Sequence, residues 1–435
     1  MSTQVYPDIS EQQVRAISEA ADEPEWLLET RLAALDALDG LEMPEVIRTP
    51  GRTWTNLTDL DYETLVDPEN QAEEKEWVDA EGAAVLPIHE AVEQHPELVE
   101  EHFGSVVGSQ RNYLTALSTA LFTTGTVIYV PEGTAAEDVK IRTTMNSRSL
   151  FNYTLVVAEE SAEVTILERQ STGDDSEALR ASTASSAERS SANHSSGRSP
   201  REDGEAAGDG HRYYSATVEV VAGDNASVQY GSLQNLSEET YNYQVKRGHA
   251  ADDATVDFID GNLGSRLSKT SVETRLLGEG SESRIVGAFF GHDEQHFDIA
   301  SRVWHENEHT TADLVTRGVL DDEARSVYEG VQDVGSAAWD TSSYQRENTL
   351  MLSDESEADA SPKLIINNHD TEASHSATVG QVDDEELFYM TSRGLDPERA
   401  TDMLVEGFFV PVLEEVAVDE LREDLEDLVA ERLRN

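Results

Sequence analysis

Residues 217–232 read TVEVVAGDNASVQYGS. A β-branched run meets a Gly-Asp-Asn turn, then small residues, then a second strand-like run. The same order returns along the chain as YVPEGTAAE (129–137), VVAEESAEV (156–164), VVAGDNASV (220–228), LLGEGSESR (276–284), VLDDEARSV (319–327) and MLSDESEAD (351–359). Successive copies start 27, 64, 56, 43 and 32 residues apart. Strand–turn–strand units repeated in this way suggest a solenoid, above all a β-helix in which each coil stacks on the last. An antiparallel sandwich has similar turn spacing, and spacing alone does not separate the two.

The large 64-residue gap has a compositional cause. Residues 171–210 are rich in Ser, Ala, Gly and charge, with one leucine as the only large aliphatic residue. Such a segment cannot offset its ordering entropy by burial and is expected to be a disordered loop. Both its ends can leave one surface turn, so it interrupts the repeat at little cost.

Outside the repeats the periodicity is helical. Ser10 with Gln13, and Asp22 with Glu25, have capping-box spacing. Leu28, Leu32, Leu35 and Leu38 then share one helix face that Gly40 can close. Two short helices are predicted between Pro87 and Phe103, and another from Arg111 to Phe122. Asp383 with Glu386 opens a helix that Arg393-Gly394 stops; Asp396-Pro397 opens a second, broken near Pro411. Leu421, Leu425 and Leu428 mark a last amphipathic helix. The expected organisation is a helical region over 1–124, a β core over 125–382 carrying the 171–210 insertion, and a helical region over 383–435.

The charge balance limits the function classes. The 435 residues carry 31 Lys plus Arg against 88 Asp plus Glu, a net charge of −57. That excludes generic binding to nucleic acid or to anionic lipid, since every phosphate would be repelled. The acids are spread along the chain rather than clustered, and only 5 of the 31 basic residues are lysine. A salt-rich, halophilic cytosol that screens the repulsion accounts for this better than an acidic patch made for one basic partner. There is no cysteine. The chain therefore brings no thiolate nucleophile, no Cys-ligated zinc and no iron–sulfur cluster held by its own thiols. The first residues carry neither a basic region nor an apolar run, so a cytoplasmic location is expected.

Few residues announce chemistry. No phosphate-binding glycine loop, GxSxG elbow or HExxH helix occurs. His292, His296, His305 and His309 fall within eighteen residues, paired at a spacing of four, which one face of a helix or a strand could bring together. Metal binding is one reading; polar turn histidines are the other. His369 and His375 lie in NNHDTEASHSATVGQ, where a histidine is ordinarily structural.

That last segment carries a resemblance. ASHSATVGQVDDEELFYMTSRGL (373–395) resembles the C-terminal signature of the SufB/SufD family of the SUF iron–sulfur cluster assembly system. EPEWLLETRLAAL (23–35), ALSTALFTTGTVIYVPEGT (116–134) and QHFDIASRVWH (295–305) are similar to further family segments, in the right order. The resemblance implies a right-handed parallel β-helix between helical ends, resolving the tie left by the spacing. It implies a SufB-like scaffold subunit beside the β-helix and a SufC-like ABC-type ATPase on the C-terminal helices. A chain without cysteine looks like the non-catalytic SufD-type subunit. The expected site residue is His375, as a ligand for iron or a nascent cluster shared with the partner; no cofactor is expected to be held stably by this chain alone. The sequence departs from the family at Ala373, often cysteine there, and at Ser376, often glycine. For the ATPase contact the expected residues are Leu387, Met390, Phe408, Phe409 and Leu413, unless those faces pack back on the β-helix. The alternative to the whole reading is a β-helical interaction protein or a carbohydrate-active β-helix enzyme.

Overall fold

The computed structural model describes residues 9–44, 57, 60, 62–66, 71, 73–78, 81–173, 211–414 and 419–433. The expected disordered loop falls almost wholly outside them. Strand β1 spans Glu73–Val78 and β2 Ala84–Pro87. The body follows as β3 (Thr124–Val130), β4 (Ala135–Met145), β5 (Ser149–Ala158), β6 (Glu163–Thr172), β7 (Arg212–Ala222), β8 (Ser227–Asn235), β9 (Thr240–Ala250) and β10 (Thr255–Asn262). It continues as β11 (Leu267–Leu276), β12 (Glu282–Gly291), β13 (His296–His305), β14 (Thr311–Leu320), β15 (Arg325–Val334), β16 (Thr341–Met351), β17 (Glu357–Ile366) and β18 (Thr371–Gln381). Even-numbered strands from β4 to β18 lie side by side in one sheet with β1; odd-numbered strands from β17 to β3 form the other with β2. Every pairing is parallel except β1 on β4 and β2 on β3. The fold is thus mainly β, a parallel β-helix of about eight coils with helices at both ends.

The register explains the uneven repeat spacing. Leu267 pairs with His296 and His296 with Arg325, so one coil takes 29 residues (296 − 267). Ser149 pairs with Tyr213, an offset of 64 (213 − 149), so one corner carries the insertion. That insertion begins later than its composition suggests, because β6 runs on through Ser171 and Thr172. Of the six quoted turns, four join an odd strand to the next even one; those at 321–324 and 352–356 sit at the opposite corner. The series therefore mixes two corner types.

The corners are built from left-handed residues. Gly133, Ser161, Asn225, Asp253, Gly280 and His309 all have positive φ, each two residues before an even strand. Gly, Asn and Asp take that conformation at least cost. Each of these six also donates its N–H to the corner of the next coil. Ser161 reaches Asp224 O (2.8 Å), Asn225 reaches Asp252 O (2.7 Å), and Asp253 reaches Glu279 O (2.8 Å). The turns therefore stack as regularly as the strands.

The N-terminal helices are α1 (Glu11–Ala20), α2 (Glu25–Ala37), α3 (Tyr62–Leu65), α4 (Ile88–Gln94), α5 (Pro96–His102) and α6 (Tyr113–Leu121). Ser10 and Gln13 form the expected reciprocal cap. The Asp22 cap does not form: α2 starts after Pro24 with no side-chain cap, and Asp22 itself has φ 51°. The most deeply buried stripe of α2 is Leu27, Arg31 and Ala34, with Leu32, Leu35 and Leu38 flanking it half-buried. Arg31 is tolerated there because it pairs with Glu23, donates to Ala120 O (3.2 Å) and stacks 3.7 Å over Phe122. Among the described residues, no helix is long and apolar enough to cross a membrane.

Two buried carboxylates fasten this helical cover to the odd sheet. Glu219 accepts from the N–H groups of Gly104 (2.8 Å), Val106 (2.9 Å) and Val107, and from the Tyr153 hydroxyl. Glu273 pairs with both Arg111 and Arg247, and Arg247 also donates to Val106 O (3.1 Å). Burial alone would raise the Glu273 carboxyl, but the two guanidinium groups outweigh it and hold it at about 2. A depressed carboxylate contributes stability that is present above its unfolded pKa and lost as pH falls through the folded value. Glu273→Gln is therefore expected to cost on the order of 3 kcal/mol in denaturant unfolding at neutral pH. The gap from wild type should close as pH falls from the ordinary carboxylate range towards about 2. A gap that does not change with pH would show that the ion pairs contribute nothing.

Candidate functional site

The two ends of the β-helix differ. At the N-terminal end β1 and β2 run antiparallel across β4 and β3. At the other end, β17 and β18 are the outermost strands of their sheets. Most of the last coil is open to solvent, and the large apolar side chains Ile365, Ile366 and Val379 are exposed on it, with Tyr344 exposed one strand below. A sheet edge with free N–H and C=O groups beside exposed aliphatic residues is a template for pairing.

His375 lies on β18 in that edge. The register assigns its direction. Ile166, Tyr230, Phe258, Ile285, Leu314 and Gln345 are stacked partners on successive even strands, and His375 is next. Ile166, Tyr230, Phe258, Ile285 and Leu314 pack into the space between the two sheets. His375 thus belongs to the inward-facing row, at the mouth of the bore, and is exposed because no further coil covers it. Among the described residues it forms no hydrogen bond or ion pair, so both ring nitrogens are free for a ligand. Ala373 and Ala377, its inward-facing neighbours on β18, leave space around the ring.

The other histidines do not gather. His296 and His305 are the first and last residues of β13 and are both buried. His305 contacts Thr310 Oγ1 (2.8 Å) and Gln332 Oε1 (3.2 Å), and burial pulls its pKa down to about 4 despite the glutamine. His309 holds a left-handed corner and contacts Asp340 (2.9 Å). His292 sits in the turn before β13 beside Glu238 and Asp293, with Arg432 in direct contact. A strand of ten residues separates the two pairs by roughly 30 Å, so the four histidines do not form one cluster. Each four-residue spacing joins a strand end to a turn rather than following one face, and among the described residues only His292 of the four stands in a group whose ligand atoms lie close enough to hold a metal ion, with Glu238 and Asp293 within 4.8 Å.

The C-terminal helices are α7 (Asp384–Ser392), α8 (Pro397–Leu413) and α9 (Asp419–Arg432). Asp383 and Asp396 cap α7 and α8, and α8 continues past Pro411 to Leu413. Val405, Phe409, Val412, Leu413, Leu425 and Val429 pack on the outer face of the even sheet. They cover Leu167, Leu233, Ile259, Val286, Phe290 and Val319. Arg317 stacks 4.8 Å from the half-buried Phe408 ring, and Arg432 donates to Asn235 Oδ1 and Leu263 O (both 2.9 Å). Phe409, only 1% exposed, and Leu413, also buried, are therefore removed from the residues a partner could reach. Their apolar excess is used on the β-helix, as the packing alternative holds. Leu387 and Met390 are half-buried. The residues that do project are Phe388 (73% exposed) and Tyr389 (59%) on α7, and Met403 and Val410 on α8. Met403 and Val410 line a groove of about 420 Å³ between α8 and α9. Sequence reasoning missed Phe388 and Tyr389 because helical spacing leads from Leu387 to Met390; four consecutive large apolar or aromatic residues in a short helix, more than one face can bury, were the available signal.

Comparison with known proteins agrees with this architecture. Residues 187–408 match the family model described as "SUF system FeS cluster assembly, SufBD core domain", and residues 59–141 match "SufBD protein N-terminal region". The chain is 27% identical to an iron–sulfur cluster assembly protein SufD of Bacillus subtilis, with 98% of each chain covered. It is 27% identical to an iron–sulfur cluster assembly SufBD family protein of Staphylococcus haemolyticus and 26% to one of Staphylococcus epidermidis. In both, 94% of this chain aligns with 90% of the relative. A core match over half the chain, an N-terminal match and near-complete coverage by relatives leave one conclusion: the chain belongs to the SufBD family of iron–sulfur cluster assembly proteins.

Proposed function

We propose that this chain is a SufD-type, non-catalytic subunit of a cytoplasmic complex with a SufB-like scaffold and a SufC-like ATPase, and that it helps to acquire iron and form clusters at the scaffold interface. The observation that carries this reading is the unfinished last coil. Strands β17 and β18 end their sheets, and the exposed Ile365, Ile366 and Val379 leave an apolar edge that a second β-helix would cover. His375 stands in that edge, so a partner docked there would bring its own side chains against the imidazole. Iron is cargo in this account. The chain has no thiol to offer it, and imidazole is the softest ligand among its exposed groups at the mouth. Thiolates would come from the scaffold.

His375→Ala tests the assignment in the purified complex. Its exposure predicts normal assembly and a melting temperature near wild type, with iron or cluster per complex reduced and complementation lost. Replacing the scaffold's facing cysteine should lower iron as well. A His375→Ala complex with full iron loading and full activity would end the proposal; lower melting or subunit loss with unchanged iron per intact complex would make His375 structural.

A further inference from the structure

The bore contains three inward-facing carboxylates on one stacked row, and they are not treated alike. The row runs Glu168, Ser232, Asp260, Gly287, Thr316, Glu347 and Ala377. Glu168 accepts from the Tyr230 hydroxyl (2.6 Å) and faces the Asn152 amide. Asp260 pairs with the buried Lys246 and accepts from Ser232 (2.7 Å) and Asn262 (2.7 Å). Glu347 is 1% exposed, receives only the Thr349 hydroxyl on one oxygen, and leaves Oε2 without a partner. Among the described residues, no cationic side chain pairs with it as Lys246 pairs with Asp260.

Its surroundings are oxygen-rich. Thr316 precedes it in the row, and Gln345 and Ser343 are its inward neighbours on β16. Tyr328, across the bore on β15, lies by Thr316, Ser301, Gln345 and Glu347. Gly330 makes room: a Cβ there would sit 1.7 Å from Gln345 Nε2. Ser343 Oγ and both polar atoms of the Gln345 amide lack a well-formed hydrogen bond, although both side chains are buried. Polar groups buried in this way destabilise the fold unless something satisfies them. A carboxylate, an amide oxygen and hydroxyl oxygens form a hard-donor set carrying one negative charge.

We propose that Glu347, with Gln345, Thr316 and Tyr328, forms an internal site for a monovalent cation, potassium or sodium, in the bore one coil beneath the His375 mouth. The cation takes the part that Lys246 plays for Asp260. Iron and other transition or divalent metals fit poorly, because the set offers no imidazole or thiolate and only one charge. This goes beyond the subunit assignment above and does not depend on it.

Rubidium-soaked crystals of the full chain test the site directly. An anomalous peak within coordination distance of Glu347 is expected, and it should be absent from Glu347→Gln. In solution, the rise in melting temperature on replacing choline chloride by potassium chloride at equal concentration should be smaller in Glu347→Gln. The surface contribution cancels in that comparison, since the variant changes one of 88 acids. Water alone at the cluster in rubidium-soaked crystals, or a full potassium gain retained by Glu347→Gln, would overturn the proposal.

Discussion

Dialysed from molar potassium chloride into dilute buffer at neutral pH, the protein is expected to lose its β-sheet circular dichroism signal. The net charge of −57 is the general cause, and the coil corners are the specific one. Glu160, Asp224, Asp252, Glu279 and Glu308 each accept, through their backbone carbonyl, the corner N–H of the preceding coil. They therefore form one column, with backbones about 4.8 Å apart as in any sheet. The geometry that regularises the turns also stacks like charges. Each neighbouring pair costs on the order of 1 kcal/mol in water when unscreened. The Debye length is roughly 3 Å in molar salt and about 30 Å at 0.01 M, so dilution reconnects the column to itself and to the rest of the acidic surface. A chain with a marginal stability of about 5–15 kcal/mol cannot absorb many such terms. A full β signal in dilute buffer would remove the salt-adapted reading.

That column also shows why the fold was partly legible in the sequence. Turns in a β-helix must be left-handed at one position and solvent-facing, so they select Gly, Asn and Asp and collect acids. Such turns stand out even when the strands between them are degenerate. The corner at 251–254, Ala-Asp-Asp-Ala before Thr255, also holds a left-handed residue, Asp253, but the residues before its acids, Gly-His-Ala-Ala (248–251), include no pair of larger apolar residues like that of the other copies, so the pattern does not pick it out. Strand β1 was invisible because EEKEWV has one strong strand former in its first five residues and owes its state to pairing with β4. The buried ladder of Glu168, Asp260 and Glu347 was hidden for another reason. In a chain with 88 acids, nothing local marks the three that point inward; only the register does. His375 was found through its motif, whereas its inward direction and its place at an open mouth required the strand pairing.

Charging the projecting surface of the C-terminal helices is expected to abolish capture of the proposed SufC-like ATPase while leaving the fold intact. The variant is Phe388→Asp with Val410→Asp. Phe388 is 73% exposed and Val410 43%, so removing them forfeits little buried contact and should move stability by no more than about 1 kcal/mol. An aspartate pair in an apolar contact would be desolvated without a partner, which costs several kcal/mol on the complex side alone. Phe409→Asp is the contrast. It buries a carboxylate against Val286, Phe290 and Val319, and it should destabilise the chain by at least about 3 kcal/mol whether or not an ATPase is present. Deleting residues 396–435 would not separate these effects, since it strips the cover from Leu167, Leu233, Ile259 and Phe290 and invites aggregation. Undiminished ATPase capture by the Phe388→Asp, Val410→Asp chain would move the contact elsewhere. Normal melting of Phe409→Asp with capture lost would instead return Phe409 to the partner surface and undo its assignment to the β-helix seam.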